Sequence, residues 1–268
     1  MSSFIEPFEY NNFDVTREDD IVVIGMDSTS GMNGLNIGFV DELREIGMAL
    51  RQDESVRCVT LSGGDDVFSV GADLARLNGT SEDGIPLRRL ASTLHEGIRE
   101  LMHVRAPLVT VVDGVAAGAG FSMALLGDIV LVSDEARLEF AYPRIGLTGD
   151  GGSTFFLPRL VGLRKAREIV LLDEPIGPEE AVALDLATEV VPTDDLEERR
   201  REVAGDLAEG PTHAYSETKR LLLESFGRDL DSQLAAETNA MVEATGSGDY
   251  RRGYEAFYGD EPPSFEGE

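Results

Sequence analysis

Two short segments combine glycine with a predicted helix start and could bind a negatively charged oxygen. They are Ser69-Val70-Gly71-Ala72-Asp73-Leu74 and Ala117-Gly118-Ala119-Gly120-Phe121-Ser122. Glycine lets the backbone approach a ligand closely, and the first amides of a helix have no partner within it. If the segments converge, the amides of Ala72 and Ala119 could bind one carbonyl oxygen and stabilise it as an enolate. Close packing of helix against strand is the alternative explanation for either segment alone.

Asp150 is the carboxylate whose surroundings best suit acid–base chemistry. It lies among Gly149, Gly151 and Gly152, and an apolar helical run follows at residues 155–161. This position is typical of a helix N-cap. A capping carboxylate can still face a cavity, where it could take a proton from a substrate and return it.

A serine hydrolase is an alternative. The run Gly120-Phe121-Ser122-Met123-Ala124 approaches a nucleophile elbow, and Ser122, Asp150 and His213 follow the chain order of an α/β-hydrolase triad. Against this, the elbow requires a small residue where Met123 stands.

Other ligand motifs are not matched. Met123 also stands where a dinucleotide fingerprint requires a small residue, and no phosphate-binding P-loop pattern occurs. His95 and His103 are eight residues apart, so their spacing does not predict a metal site.

Charge excludes several classes of partner. The 268 residues include 51 Asp and Glu against 23 Lys and Arg, a formal charge of -28. Nucleic-acid binding depends on clustered cations, so no nucleic-acid partner is expected, and an anionic membrane surface is disfavoured. Only Lys165 and Lys219 are lysines. This composition indicates a halophile's protein, in which surface carboxylates maintain solubility in strong salt, although an unusually acidic mesophilic protein is an alternative.

The expected location is the cytoplasm. Cys58 stands alone in an apolar run, so it is predicted to be a core residue in a reducing compartment. No apolar run reaches the roughly 20 residues of a membrane helix. The first twelve residues lack the basic and apolar pattern of a signal segment.

Alternating strands and helices must position these groups. The apolar pattern predicts strands over 21–26, 56–61, 107–114 and 128–133, helices over 39–50 and from Pro86 to Leu101, a turn at 63–66 and a loop at 78–86. This order predicts α/β layering. From Pro178 the pattern becomes mostly helical, with a strand-like patch at 187–191 and helices starting near Thr193, Pro211 and Asp229.

Together these segments resemble the crotonase, or enoyl-CoA hydratase/isomerase, superfamily. The resemblance runs from Asn33 through VRCVTLSGGDDVFSVGADL, APLVTVVDGVAAGAGFSMALLGDIVL and RIGLTGDGGSTFFLPRLVG, and the tail DYRRGYEAFYGDEPPSF is similar to the family's last helix. It implies a spiral of strand-strand-helix repeats over residues 1–195, which would contain an acyl-CoA site. A C-terminal helical trimerisation region would occupy residues 196–268 and form a homotrimer or hexamer.

The resemblance also implies roles for individual residues. The family's oxyanion-hole amides fall on Ala72 and Ala119, and the two glutamates of hydratases fall on Ser122 and Tyr142. Asp150 falls where the phenylacetyl-CoA ring-epoxide isomerase branch and the dienoyl-CoA isomerases keep an aspartate. The phenylacetyl-type branch is the most similar, although it usually has proline where Gly149 stands.

The expected function is double-bond isomerisation of an acyl-CoA, with Asp150 as acid and base. Coenzyme A would enter as part of the substrate, with no other cofactor and no metal. Substrate-binding positions would be Gly71, Gly118, Gly120, Ser122, Tyr142 and Gly149. The basic stretch that the family places near the CoA phosphates reads Tyr258-Gly259-Asp260-Glu261 here, which leaves Arg76, Lys219 and Arg252 as candidates. Alternatives are a 2-enoyl-CoA hydratase that uses Asp150 and a bound water, the serine hydrolase, and a non-catalytic acyl-CoA-binding protein.

Overall fold

Two sheets organise the chain. The structure is a computed structural model that describes residues 9–64 and 66–268. A six-stranded sheet has the order β1-β2-β3-β5-β7-β9, and a three-stranded sheet has the order β4-β6-β8. The strands are β1 (Phe13–Glu18), β2 (Ile21–Met26), β3 (Cys58–Ser62), β4 (Val67–Ser69), β5 (Leu108–Val112), β6 (Val115–Ala117), β7 (Ile129–Ser133), β8 (Arg137–Glu139) and β9 (Glu189–Val191).

Helices pack on these sheets and make up most of the C-terminal region. They are α1 (Ile37–Gln52), α2 (Gly84–Met102), α3 (Ala119–Ala124), α4 (Ser153–Leu160), α5 (Gly162–Leu172), α6 (Pro178–Ala183), α7 (Leu196–Ala208), α8 (Thr212–Ser225), α9 (Leu230–Ala244) and α10 (Gly248–Tyr258). Within the described residues, none of the helices has the length and apolar character needed to cross a membrane.

From β3 to β9, successive strands along the chain alternate between the two sheets. β3, β5 and β7 lie side by side in the large sheet, and the strand that follows each of them, β4, β6 or β8, lies in the small one. β1 and β2 are antiparallel, whereas the neighbours β2-β3, β3-β5 and β5-β7 are parallel. Helix α2 follows β4 and α3 follows β6. The predicted α/β spiral of strand-strand-helix repeats is therefore confirmed.

The large sheet is covered on both faces. Leu108 and Val112 of β5 belong to the main core, while Val109 and Val111 face a second apolar cluster with Leu196 of α7. Alternate residues of a strand point to opposite faces, which explains why β5 is apolar apart from Thr110, whose buried hydroxyl donates to the Ala124 carbonyl. The proposed boundary at residue 195 therefore comes just before a helix that packs on the sheet.

Cys58 is a core residue, as predicted. Its side chain is fully buried in this second cluster beneath α7. Burial raises the pKa of the thiol to about 12, so the thiol remains protonated and unreactive at neutral pH.

Some predictions of secondary structure were wrong. The strands β4, β6 and β8 were missed, because three residues are too few to show an alternating apolar pattern. The predicted loop at 78–86 is also partly wrong, because residues 81–83 form a 3-10 turn and α2 begins at Gly84. The Asp83 carboxylate organises this segment by accepting the amides of Asn78, Gly79 and Thr80. Two predictions fall partly outside the described residues. The predicted turn at 63–66 includes Asp65, and the stretch tested for a signal segment includes residues 1–8.

Candidate active site

The ends of three parallel strands converge on one cavity. In the small sheet, β4 pairs with β6 and β6 with β8, each in parallel. Their carboxyl ends therefore meet at one edge, where open parallel sheets commonly bind ligands. Ala72 follows β4, Ala119 follows β6 and Tyr142 follows β8, and all three line a cavity of about 570 Å³.

Gly71 brings the first two strand ends together. Its φ is +81°, and a Cβ there would lie 2.9 Å from both the Ala117 carbonyl oxygen and the Ala119 nitrogen. A side chain would thus push the two segments apart, and only glycine adopts this φ without strain. The convergence that the sequence suggested is present in the structure.

The amides of Ala72 and Ala119 are available to a ligand. Ala72 forms a parallel bridge with Leu35, in which Leu35 donates to the Gly71 carbonyl and Asp73 donates to the Leu35 carbonyl. This pairing leaves the Ala72 N–H directed away from Leu35. Ala119 is the first residue of α3, so its N–H has no intrahelical partner. Neither amide donates a hydrogen bond to another residue in the described part of the chain.

Of the glycines near Ala119, one lines the cavity and the others pack behind it. Gly118 lines the cavity beside Ala119. Gly120 lies behind it, where a Cβ would be 2.2 Å from the Ser69 carbonyl oxygen, so close packing explains this position. Gly149 also packs behind the site, since a Cβ there would lie 2.6 Å from the Phe140 ring.

The cavity is largely apolar and contains one carboxylate. Among the residues at 9–64 and 66–268, Asp150 is the only Asp or Glu that lines it. Arg88 of α2 and Arg144 are the lining cations, and Arg144 is paired with Glu139 and Asp173. The apolar lining includes Leu35, Val70, Leu74, Leu90, Leu94 and Leu147.

Tyr142 and Ser122 hold Asp150 from one side. The Tyr142 hydroxyl donates to Asp150 Oδ1 at 2.5 Å, and the Ser122 hydroxyl donates to the Asp150 carbonyl at 2.9 Å. Ser122 is fully buried behind the cavity, with its Oγ 3.4 Å from the Tyr142 hydroxyl oxygen. Thus Ser122 fixes the main chain of Asp150, and Tyr142 fixes its carboxylate.

Tyr142 remains a hydrogen-bond donor over the whole neutral range. Burial, together with the neighbouring Asp150 carboxylate, raises the pKa of its phenol above the ordinary value. The phenol is therefore not a base at neutral pH. It orients the Asp150 carboxylate.

Asp150 is not the cap of the following helix, so that interpretation was wrong. Helix α4 begins at Ser153 with Gly152 as its N-cap, at φ +85°. The Ser153 amide and hydroxyl both bond to the main-chain carbonyl of Asp150. The carboxylate itself is 30% exposed and is not used in capping.

The hydrolase triad is not assembled. His213 is in α8 and lines a different pocket, together with Glu54 and Arg105. Ser122 donates to a main-chain carbonyl and has no histidine partner among the described residues. The imidazole beside Asp150 is instead that of His95, whose Nε2 lies 3.7 Å from Asp150 Oδ2.

Sequence reasoning missed His95 and Arg88. Both are on α2, next to the leucines of its apolar stripe, and His95 directly follows Leu94, which lines the cavity. A polar residue beside an apolar stripe can indicate a side chain at the edge of a cavity. This pattern does not reveal that His95 contacts Gly151, 56 residues later.

All three candidate phosphate ligands have ion-pair partners. Lys219 pairs with Asp128 and donates to the Ala106 carbonyl, and Arg252 pairs with Asp249 and Glu266. Arg76 pairs with Asp73 at 3.5 Å but is 72% exposed close to the cavity, two residues after Leu74. Arg76 and Arg88 are therefore the cations best placed to meet an anionic ligand at the cavity mouth.

Tyr142→Phe should separate the hydroxyl of this residue from its ring. Because the phenyl ring would still fill the core, we expect the fold to persist and kcat to fall about tenfold, as expected for one lost hydrogen bond to a charged group. KM should change little. Steady-state kinetics and thermal unfolding check this prediction, and Tyr215→Phe, on α8, is the matched control. An unchanged kcat would contradict it.

Comparison with known proteins gives the family. The sequence model described as "Enoyl-CoA hydratase/isomerase" matches residues 16–268. The chain belongs to the enoyl-CoA hydratase/isomerase family.

Individual relatives cover nearly the whole chain. A Rhodobacter capsulatus protein named "Probable enoyl-CoA hydratase" is 34% identical over 96% of this chain and 99% of its own length. An Escherichia coli protein named "1,2-epoxyphenylacetyl-CoA isomerase" is 31% identical over 93% of this chain and 96% of its own length. A crystal structure of enoyl-CoA hydratase from Bacillus anthracis is similar at a TM-score of 0.90 and 26% identity, covering 96% of this chain and 100% of that one.

Proposed function

We propose that the protein moves a carbon–carbon double bond in an acyl-CoA thioester, with Asp150 as the one acid–base group. The composition of the cavity carries this proposal, because Asp150 is its only carboxylate in the described part of the chain. Double-bond migration takes a proton from one carbon and returns it to another, so one correctly placed carboxylate is sufficient. Hydration requires in addition that a water molecule be positioned and activated.

The thioester oxygen would lie between the amides of Ala72 and Ala119. Both amides line the cavity, and within the described residues neither donates to another acceptor. Removal of the proton beside the thioester places negative charge on this oxygen, and preorganised donors stabilise that charge without having to reorient.

Tyr142 and Ser122 would position the base. Their two hydroxyls bind the carboxylate and the carbonyl of Asp150. The other carboxylate oxygen, Oδ2, would then take the proton from one carbon of the bound acyl group and deliver it to another.

The apolar lining would hold the acyl group, and Arg76 and Arg88 would meet the phosphates of coenzyme A. Coenzyme A is part of the substrate in this proposal. The proton transfer requires no metal and no further cofactor.

Hydration is the second candidate function. The isomerase name of the Escherichia coli relative supports migration, and the hydratase name of the Rhodobacter capsulatus relative supports water addition. In a hydratase, Asp150 would bind and activate a water, while Ser122 and Tyr142 would still hold Asp150 in place.

Mass spectrometry of the products distinguishes the two candidates. The protein is incubated in concentrated KCl and deuterated water, first with a 3-enoyl-CoA and separately with crotonyl-CoA. Migration to the 2-enoyl product, without the mass of water, supports the isomerase. Conversion of crotonyl-CoA to 3-hydroxyacyl-CoA as the faster reaction would overturn it in favour of the hydratase. Release of free coenzyme A would indicate hydrolysis, and binding without turnover a non-catalytic acyl-CoA-binding protein.

We also propose that the protein is adapted to strong salt and assembles as a homotrimer or hexamer. The charge of -28 supports the first proposal, because salt screens repulsion among surface carboxylates. Exposed apolar side chains in the C-terminal region support assembly into an oligomer. They include Leu222, Phe226, Met241 and Phe257. Light scattering of the assay sample in concentrated KCl gives the mass of the assembly.

A further inference from the structure

His95 stands between the proposed base and a second cavity. Asp150 lines the acyl cavity, whereas His95 and Gly151 line a neighbouring cavity of about 390 Å³ together with Phe155. The His95 side chain is 48% exposed, and its Nε2 lies 3.7 Å from Asp150 Oδ2. No step of the proposed reaction yet uses this imidazole.

The main chain shows which nitrogen of His95 carries the proton. The Gly151 N–H points at His95 Nε2, with a donor–acceptor distance of 3.1 Å. The direction of a main-chain N–H is fixed by the peptide plane, so Nε2 must offer a lone pair. The hydrogen bond therefore requires the tautomer of His95 with the proton on Nδ1.

This hydrogen bond holds the residue that follows the base. Gly151 has φ +63°, and a Cβ there would lie 2.7 Å from Ser122 Cβ, so its main chain is tightly placed. His95 holds the chain on one side of Asp150, and Ser122 and Tyr142 hold Asp150 on the other. The Asp150 carboxylate thus lies between two sets of contacts.

We propose that His95 is a positioning residue for Asp150 and acts through the hydrogen bond that it accepts from the Gly151 N–H. The inference rests on the proposed function, in which Asp150 is the base. Loss of the acceptor at Nε2 would release the main chain beside Asp150, and the carboxylate would then no longer be held in position to take the proton. A side chain that keeps an acceptor at this place should therefore preserve most of the activity, and one without an acceptor should not.

Few other charges face His95. Its neighbours on α2 are Glu96 and Arg99, and His103 directly follows that helix; all three are at the surface, and His103 Nδ1 is bonded to the Arg99 carbonyl. From α4, Arg159 lies over the Phe155 ring. α8 contributes only the neutral Leu223 to this cavity. From the loop before α4, Asp150 is the one carboxylate within 4 Å of a His95 ring nitrogen in the described residues, and its own Oδ1 accepts the Tyr142 hydroxyl.

Steady-state kinetics with a 3-enoyl-CoA at pH 8 test the role of His95. His95→Gln should keep its kcat within about threefold, because the amide oxygen can accept the Gly151 N–H.

Two further variants separate positioning from a general disturbance of the helix. His95→Ala has no acceptor for the Gly151 N–H, so kcat should fall about tenfold, with less change in KM. His103→Gln replaces the other histidine of the same cavity, whose Nδ1 is bonded to the Arg99 carbonyl, and should retain the wild-type kcat and KM.

Two outcomes would overturn the inference. A folded His95→Ala with the kcat of wild type would show that no acceptor is needed, and a folded but inactive His95→Gln would show that an acceptor alone is insufficient. If wild type moves no double bond at any pH, the proposed function fails instead. A nitrogen NMR spectrum of the imidazole is independent of turnover. We expect the tautomer with the proton on Nδ1, and a proton on Nε2 in neutral His95 would contradict the inference.

Discussion

Asp150→Asn is expected to reduce kcat for double-bond migration by about 10³-fold, the typical contribution of a positioned acid–base group. Asparagine has nearly the same shape, and its Oδ1 can still accept the Tyr142 hydroxyl, which bonds to Asp150 at 2.5 Å. The amide cannot take a proton from carbon at neutral pH. Because the substrate contacts do not change, KM should stay close to that of wild type.

A surface aspartate provides the control for this variant. Asp41 of α1 is 39% exposed and pairs with Arg44 at 3.3 Å, and such a pair contributes little to stability. Asp41→Asn should therefore retain wild-type kinetics and thermal stability. If Asp150→Asn kept more than a tenth of the wild-type kcat, Asp150 would not be the base.

Ala119→Pro should remove one of the two oxyanion donors and reduce kcat by about 10²- to 10³-fold. Ala119 is the first residue of α3, where proline is tolerated because the missing N–H has no helical partner. The chain already has a proline at the equivalent position of α6, where Pro178 is the first residue. The fold should therefore persist while the thioester oxygen loses a hydrogen bond.

A second substitution at the same position supplies the control. Ala119→Gly keeps the N–H, and its cost in the free energy of unfolding should be at most about 1 kcal/mol. We expect its kcat to remain close to that of wild type. Stopped-flow kinetics and circular dichroism of both variants make the comparison. A proline variant as active as the glycine variant would show that this amide does not bind the oxygen.

The longer elements could be predicted because their burial follows a simple period. Phe39, Leu43, Ile46 and Leu50 form a helical stripe, and all four are buried in α1. Residues 108–112 are apolar apart from Thr110, and that strand is buried on both faces. The glycine-rich segments indicated the two amides, since Gly71 and Gly118 both adopt a positive φ at the strand ends.

Contacts between distant parts of the chain could not be predicted. The resemblance singled out Ser122 and Tyr142, but only the structure shows that they hold the main chain and the carboxylate of Asp150. The contact of His95 with Gly151 joins α2 to a loop 56 residues later. Such pairs depend on how whole elements pack, and a pattern of local periodicity carries no information about them.

The two amides and much of the apolar lining of the cavity come from different parts of the fold. The amides of Ala72 and Ala119 follow strands of the small sheet, whose hydrogen bonds fix them relative to one another. Much of the apolar lining comes instead from the segments 74–94 and 145–148, outside that sheet. Insertions or substitutions in those segments can reshape the cavity without shifting the two amides. Such an arrangement lets a lineage exchange one ligand for another in small steps while each intermediate keeps the same pair of donors.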